Sequence, residues 1–262
     1  ELAKNKSEIN ELKLKLNNFI IENSNNQNIQ INKRITLLQN DLKLSKYELP
    51  FHSWDLNEKP VAYTDFYKNF IFVISGDGKI TYFNIDNLKS ETIKLKVLNN
   101  NIRDIINDEL FFDIRNNANE SSYQVSIKDI LVHKKKLYIS YTKEIKKNCY
   151  NTSIIVSNIN FNKLIFKDFF SYDECIVTNR ENLNNFYVLV SGGRMIIKED
   201  NKMLFTIGDY RNSNIAQKDN SLFGKIILID INSNKYETFS KGHRNPQGLL
   251  YDKEKNIILS TE

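Results

Sequence analysis

The sequence predicts an all-β fold: a partial β-propeller of roughly four blades, preceded by an N-terminal α-helical segment. Three observations carry this expectation. From about residue 49 onward, short apolar or alternating runs are separated by polar turns, the pattern of many short strands. Hairpins of one recurring design return at spacings of about 40 to 60 residues, close to the repeat of a propeller blade. The first 46 residues contain neither glycine nor proline and space their apolar side chains as a helix does. A two-layer sandwich is the architectural alternative.

In the N-terminal part, Leu2, Ile9, Leu12, Leu16 and Phe19 recur at steps that put them on one helical face, with Lys, Glu and Asn between. The polar run Asn23 to Asn28 interrupts this stripe before Ile31, Ile35, Leu38 and Leu42 resume it. Residues 1–48 are therefore expected to form a helical or coiled-coil stalk, offering self-association through the helix; the alternative is a helix packed on its own domain. Pro50 closes the segment, and residues 49–262 are assigned to the incomplete propeller.

Within that second region, Phe70-Ile71-Phe72-Val73-Ile74-Ser75 reads as a buried strand, Gly76-Asp77-Gly78 as a turn, and Lys79 to Asn84 as the returning strand. Further strands are expected at 125–130, 136–142, 153–158, 164–169, 195–198, 203–207, 225–230, 235–239, 248–251 and 257–260. Asp129 to His133 followed by Leu137 to Ser140, and Leu249 to Asp252 followed by Ile257 to Ser260, share one hairpin design.

At 262 residues and 40% hydrophobic, the chain has material for a real core. Its net charge of +5 is spread over Lys-rich segments without a basic block interleaved with aromatics, which argues against a nucleic-acid partner. No stretch reaches the roughly 18 apolar residues of a membrane span. Cys149 and Cys175 flank the strand pair expected between Asn151 and Phe170; a hairpin there brings them together as a disulfide, against the alternative of two thiols. His52, His133 and His243 lack the spacing of a zinc site, and no metal ligand is assigned.

The stretch richest in site chemistry is Lys241-Gly242-His243-Arg244-Asn245-Pro246-Gln247-Gly248-Leu249. Two glycines and a proline dictate a turn, and a cation with two side-chain amides gives it convergent polar groups. Arg244 offers a rigid charged fork for an anionic or quinone-like oxygen; Asn245 and Gln247 can each donate and accept. A bend capped by its own polar side chains is the alternative reading.

Gly242 to Leu249, together with Ser191-Gly192-Gly193-Arg194-Met195, Leu204 to Asp209, Ala216-Gln217 and Gly224 to Asp230, resembles the soluble quinoprotein glucose/sorbosone dehydrogenases, the PQQ-dependent aldose sugar dehydrogenases. The resemblance is clear over roughly residues 186–262. It implies a six-bladed propeller with PQQ lying over its mouth, a calcium ion that polarises the cofactor, and a histidine base that takes the anomeric hydroxyl proton of an aldose as hydride passes to the quinone, giving a lactone. It further implies that Arg244 and Asn245 bind the cofactor, that Gln247 touches the sugar, and that Pro246 and Gly248 shape the turn. Asp209 would orient the catalytic histidine, its other reading being a cap on the turn after Ile207; His243 is assigned to the turn, not to the chemistry. Arg194 is expected to pack or pair near the site.

One position departs from the family pattern. The histidine expected four residues before Arg194 is Val190, which cannot accept a proton, and Leu189 beside it is no better. The resemblance also implies a calcium segment and carboxylate-clamping basic residues beyond Glu262, and the sequence begins at Glu1 without a start methionine, so both ends are expected to be cut. Two functions follow: a sugar dehydrogenase, or a non-catalytic propeller that keeps the fold and binds. The resemblance and the proposed disulfide place the protein in the periplasm or otherwise outside the cytoplasm, with anchorage through a missing N-terminus.

Overall fold

The computed structural model describes residues 28–30, 34–37, 43–46, 62–76, 78–89, 92–106, 126–178 and 188–262. Its first strands are β1 (Asn28–Gln30), β2 (Arg34–Leu37) and β3 (Lys43–Lys46). β2 and β3 form an antiparallel hairpin, where the stripe of Ile31, Ile35, Leu38 and Leu42 led to the expectation of helix. Four apolar residues at steps of three and four over so short a run do not separate helix from strand, and the β-branched pair Ile35-Thr36 favours extended backbone. The helical expectation for residues 1–27 lies outside the described residues.

Next come β4 (Ala62–Tyr67), β5 (Phe70–Ser75), β6 (Ile80–Asn84), β7 (Thr92–Lys94), which pairs with β1, and β8 (Lys96–Asn100), followed by the single turn α1 (Ile102–Ile105). β9 (Ile127–His133), β10 (Lys136–Lys146), β11 (Cys149–Asn158), β12 (Lys163–Leu164), β13 (Lys167–Phe170) and β14 (Ile176–Val177) make up the middle of the chain. The last part holds β15 (Gly192–Glu199), β16 (Lys202–Ile207), the turn α2 (Ser213–Ala216), β17 (Lys225–Asp230), β18 (Tyr236–Lys241), β19 (Gly248–Asp252) and β20 (Ile257–Thr261).

These strands form three successive meanders, β4-β5-β6-β8, β9-β10-β11-β13 and β15-β16-β17-β18, followed by the β19-β20 hairpin. The first strand of each sheet packs against the first strand of the next: β4 on β9, β9 on β15, β15 on β19. Consecutive antiparallel sheets meeting along their first strands are the arrangement of a propeller, whereas a sandwich stacks two sheets face to face. The fold is thus nearly all β and propeller-like.

Burial follows from that order. The middle sheet has a neighbour on each side, and β11 is buried along almost its whole length. Its inward polar residues are therefore all partnered. Asn151 Nδ2 donates to the carbonyls of Tyr172 and Glu174, Thr152 Oγ1 to that of Ser191, and Ser153 Oγ to Asn151 Oδ1. One expected strand, 164–169, is divided between two sheets: β12 joins β8, and β13 joins β11. The break falls at Phe166, whose N–H and C=O are both taken by the Asn101 amide, at 2.7 and 3.1 Å.

The Cys149–Cys175 disulfide is formed, with Cα atoms 5.4 Å apart. The β11-β13 pairing closes the loop as expected, and β14 pairs beside Cys149. The bridge also fixes Glu174, whose carboxylate accepts from Ser221 Oγ at 2.6 Å and from the Leu222 N–H at 2.9 Å.

Candidate functional site

One end of the third sheet is knitted by a short backbone ladder. The Gly208 N–H donates to Ser191 O, the Gly224 N–H to Gly208 O, and the N–H groups of Gly242 and His243 both to Gly224 O, all between 2.9 and 3.1 Å. Two glycines make this approach feasible. A Cβ on Gly208 would lie 2.3 Å from the Val190 carbonyl oxygen, and one on Gly224, at φ +67°, would lie 2.6 Å from that of His243. The ladder brings together residues 190–194, 208–211 and 242–245, which are far apart in sequence.

Asp209 stands at the junction. Its N–H donates to Arg244 O at 2.8 Å, while the Tyr210 N–H donates to Val190 O at 3.0 Å. Tyr210 and Arg211 both have left-handed backbone, at φ 52° and 59°, an unfavourable conformation for side chains of their size. It is held by the Val190 carbonyl, by a 2.9 Å contact between the buried Tyr210 hydroxyl and Thr152 Oγ1, and by the Arg211 N–H on Asp209 Oδ1 at 2.8 Å. Backbone strain held from three sides is characteristic of functional turns.

A cavity of about 420 Å³ opens beside this turn, lined among others by Asp209, Arg211, Ser213, Gln217, His243 and Arg244. Its α2 wall is fixed by Lys225, whose buried ammonium donates to the carbonyls of Ala216 and Phe223 at 2.7 and 3.0 Å. Burial pushes the Asp209 carboxyl above its ordinary value, opposed by the Arg211 amide and the Arg244 charge and reinforced by Glu262. With Arg211 and Arg244 both in its lining, the cavity can offer guanidinium forks to an anionic planar ligand.

The structure sorts the sequence-derived residues into two groups. Asp209 and Arg244 share the cavity. Asn245 and Gln247 contribute to holding the turn: Asn245 Oδ1 accepts the Gly192 N–H at 3.1 Å, while the Gln247 N–H donates to Thr261 O at 3.0 Å and its carbonyl accepts Arg194 Nε at 3.0 Å. The Gln247 side chain is exposed, and Pro246 is buried beneath the turn. His243 has both ring nitrogens engaged, Nδ1 with Glu262 Oε1 at 2.5 Å and Nε2 with Ser240 Oγ at 2.9 Å, in keeping with a turn residue. Val190 is 7% exposed and offers only its carbonyl to the ladder.

Two acids escaped the sequence reading. Glu262 accepts from the Arg244 N–H at 2.8 Å as well as engaging His243. Burial raises its carboxyl, but the contacts from Arg244, His243 and Asn245 outweigh this and hold it below the ordinary value. Asp129, on β9, accepts from Arg194 Nη1 at 2.7 Å and from the Met195 N–H at 2.8 Å. Burial pushes its carboxyl up to about 6, against the pull of Arg194. A lone acid leading into the apolar run Ile130-Leu131-Val132 was the available signal for Asp129; nothing distinguished Glu262. Among the described residues, no three His, Cys, Asp or Glu side chains stand close enough to hold a metal ion.

The family model described as Glucose / Sorbosone dehydrogenase matches residues 113–262, extending well upstream of residue 186. No curated protein matches the sequence significantly. Among solved structures, a glucose dehydrogenase aligns with a TM-score of 0.55 at 16% identity, covering 77% of this chain and 56% of that one. The apo soluble aldose sugar dehydrogenase of Escherichia coli gives 0.51 at 13% identity, with coverage of 77% and 56%. The PQQ-bound aldose sugar dehydrogenase of Streptomyces coelicolor gives 0.52 at 18%, with coverage of 78% and 56%. The chain thus spans little more than half the length of the structures it matches.

Proposed function

Because this chain belongs to the glucose/sorbosone dehydrogenase family, whose model covers more than half of it, we propose that it is a PQQ-binding, sugar dehydrogenase-like protein. Its cavity at Asp209 and Arg244 takes the cofactor, and an aldose is the substrate class, oxidised at the anomeric carbon to a lactone. The observation that carries the reading is the shared cavity itself. Asp209, Arg211 and Arg244 all line one cavity of about 420 Å³, within the roughly 300–1,000 Å³ of small-ligand sites.

PQQ, when bound, supplies an ortho-quinone that accepts the hydride of the sugar's anomeric carbon. Its carboxylates and quinone oxygens are the anionic partners that arginine suits, and Arg211 and Arg244 both line this cavity, so the residue types present fit it. Arg244 would bind and orient the cofactor with Arg211 as a second cation, while the buried Asp209 sets the polarity of the wall. Asn245, assigned to the cofactor from its motif position, contributes by fixing the turn through Gly192. Gln247, exposed beside the turn, remains the proposed sugar contact. No step is assigned to calcium, because the described residues offer no cluster for a metal ion.

Val190 favours a second reading. The position that the family pattern reserves for a histidine is aliphatic and almost wholly buried. A propeller that binds cofactor without turnover accounts for that residue directly. The proposed architecture is an arc of a six-bladed propeller, with the three sheets as blades and the β19-β20 hairpin opening a fourth. An extracytoplasmic location is proposed with it, supported by the disulfide.

The test is dye-linked turnover with a panel of aldoses after addition of PQQ, alongside equilibrium dialysis of PQQ against the full chain. Binding with turnover supports the dehydrogenase; binding without turnover supports the second reading. Absence of saturable PQQ binding rejects both.

A further inference from the structure

We propose that Arg194, held by the buried carboxylate of Asp129, is the positioning residue of the cofactor turn, fixing Arg244 to Gln247 against the hub of the sheets. The Arg194 guanidinium is used on three sides. Nη1 donates to Asp129 Oδ1 at 2.7 Å, Nε donates to Gln247 O at 3.0 Å, and the group lies 5.9 Å from the centre of the Tyr63 ring. One side chain on β15 therefore ties β9, β4 and the turn before β19. A guanidinium can do this because its donors are fixed in a planar fork while its faces remain free to stack; an ammonium has no such geometry.

The arrangement continues on either side. Asp65 on β4 accepts the Val132 N–H of β9 through Oδ2 at 2.6 Å, so the first two inner strands are pinned by a carboxylate. Asp129 then reaches from β9 to β15 twice, through Arg194 and through the Met195 N–H at 2.8 Å. β15 in turn holds the turn at two points, with the Gly192 N–H on Asn245 Oδ1 and Arg194 Nε on Gln247 O. Pro246 is buried between those two anchors, and Arg244 immediately precedes them. Releasing the second anchor leaves the turn held to β15 only through Asn245 and so loosens the segment that carries Arg244.

That the turn is a cofactor turn rests on the function proposed above; that Arg194 positions it does not. The experiment keeps these apart. Amide hydrogen exchange on the full chain reads Gly192, Gln247 and Gly248 directly, while PQQ dialysis reads the site. In Arg194→Met, these amides are expected to exchange at least tenfold faster while Phe205 and Ile227 in the β16-β17 core keep their protection, and PQQ affinity is expected to fall on the order of tenfold, the worth of a hydrogen bond to a charged group. Arg194→Lys retains the charge opposite Asp129 and is expected to recover the melting temperature but neither the turn protection nor the affinity. Full recovery of protection by Arg194→Lys would reduce the contact to a plain ion pair and overturn the proposal. A uniform rise in exchange across all strands of Arg194→Met would equally overturn it. If the wild-type chain takes up no PQQ, the cofactor reading fails, and the exchange pattern by itself still decides the role of Arg194.

Discussion

Replacing Val190 by histidine examines the relation between the fold and the missing chemistry. The Tyr210 N–H on Val190 O and the Gly208 N–H on Ser191 O, at 3.0 and 2.9 Å, bracket Asp209 against position 190. Residues paired across neighbouring strands have Cα atoms roughly 4.5–5.5 Å apart, a span that an imidazole and a carboxylate can close to a hydrogen bond. Asp209 is 2% exposed and its carboxyl is raised by burial, so an imidazole partner would be held in one tautomer and made more basic. A positioned general base contributes about 10²–10⁴-fold. Fitting the larger ring into a site where valine is 7% exposed costs about 1–3 kcal/mol of stability. Val190→His, loaded with PQQ, is therefore expected to melt lower yet reduce dye with an aldose at least 100-fold faster than the parent, on the scale of that contribution. The gain should rise with pH as the imidazole loses its proton and vanish in Val190→His/Asp209→Asn. A folded, PQQ-loaded Val190→His that turns over no faster than the parent would refute the placement of Val190 beside Asp209 at the reacting centre.

Other outcomes follow from the same geometry. The Cys149–Cys175 bridge closes 26 residues, for which chain entropy gives about 3.5 kcal/mol, so Cys149→Ser/Cys175→Ser should lower the urea midpoint accordingly, and an unchanged midpoint would contradict it. Gly224→Ala forces a side chain into a φ of +67° and against Ala216 Cβ, and should cost at least about 2 kcal/mol by thermal unfolding. Glu262 has a lowered carboxyl, so its stabilising contribution is present at neutral pH and is lost as pH falls through the range below its ordinary 4.5. Glu262→Gln should flatten the acid limb of the stability curve, and an unaltered limb would exclude Glu262 as a source of it. Asp129 has the opposite sign: its carboxyl, near 6, disfavours the folded state above that pH, and the penalty lessens as pH falls from about 6 toward its ordinary 3.8. Asp129→Asn should remove that component from proton uptake measured on folding.

Much of the fold was legible because its strands are apolar runs bounded by turn residues. Phe70–Ser75 and Lys225–Asp230 coincide with the expected boundaries. The strand at 164–169 was misread because its break is imposed by Asn101, 65 residues upstream, which no local pattern reveals. The stretch around Ile35 was misread because a short three-and-four spacing is compatible with a hairpin. In the site, the turn chemistry of Gly242 to Gly248 and the carboxyl of Asp209 could be read from motif alone. What could not be read was direction: whether Asn245 faces a ligand or the Gly192 amide depends on strand pairing, as does the use of the Gln247 carbonyl by Arg194. Buried acids such as Asp129 acquire meaning only once the partner strand is in place.

The central claim is that the cavity at Asp209 and Arg244 holds an anionic quinone cofactor, and a PQQ titration of the full chain beside Arg244→Met tests it most directly. A hydrogen bond to a charged group is worth about 1.5–3 kcal/mol, so saturable one-to-one binding should weaken roughly 10- to 150-fold in the variant while its melting temperature stays at the parent value. PQQ uptake by the parent that is non-saturable, or equally tight in Arg244→Met, would contradict the account.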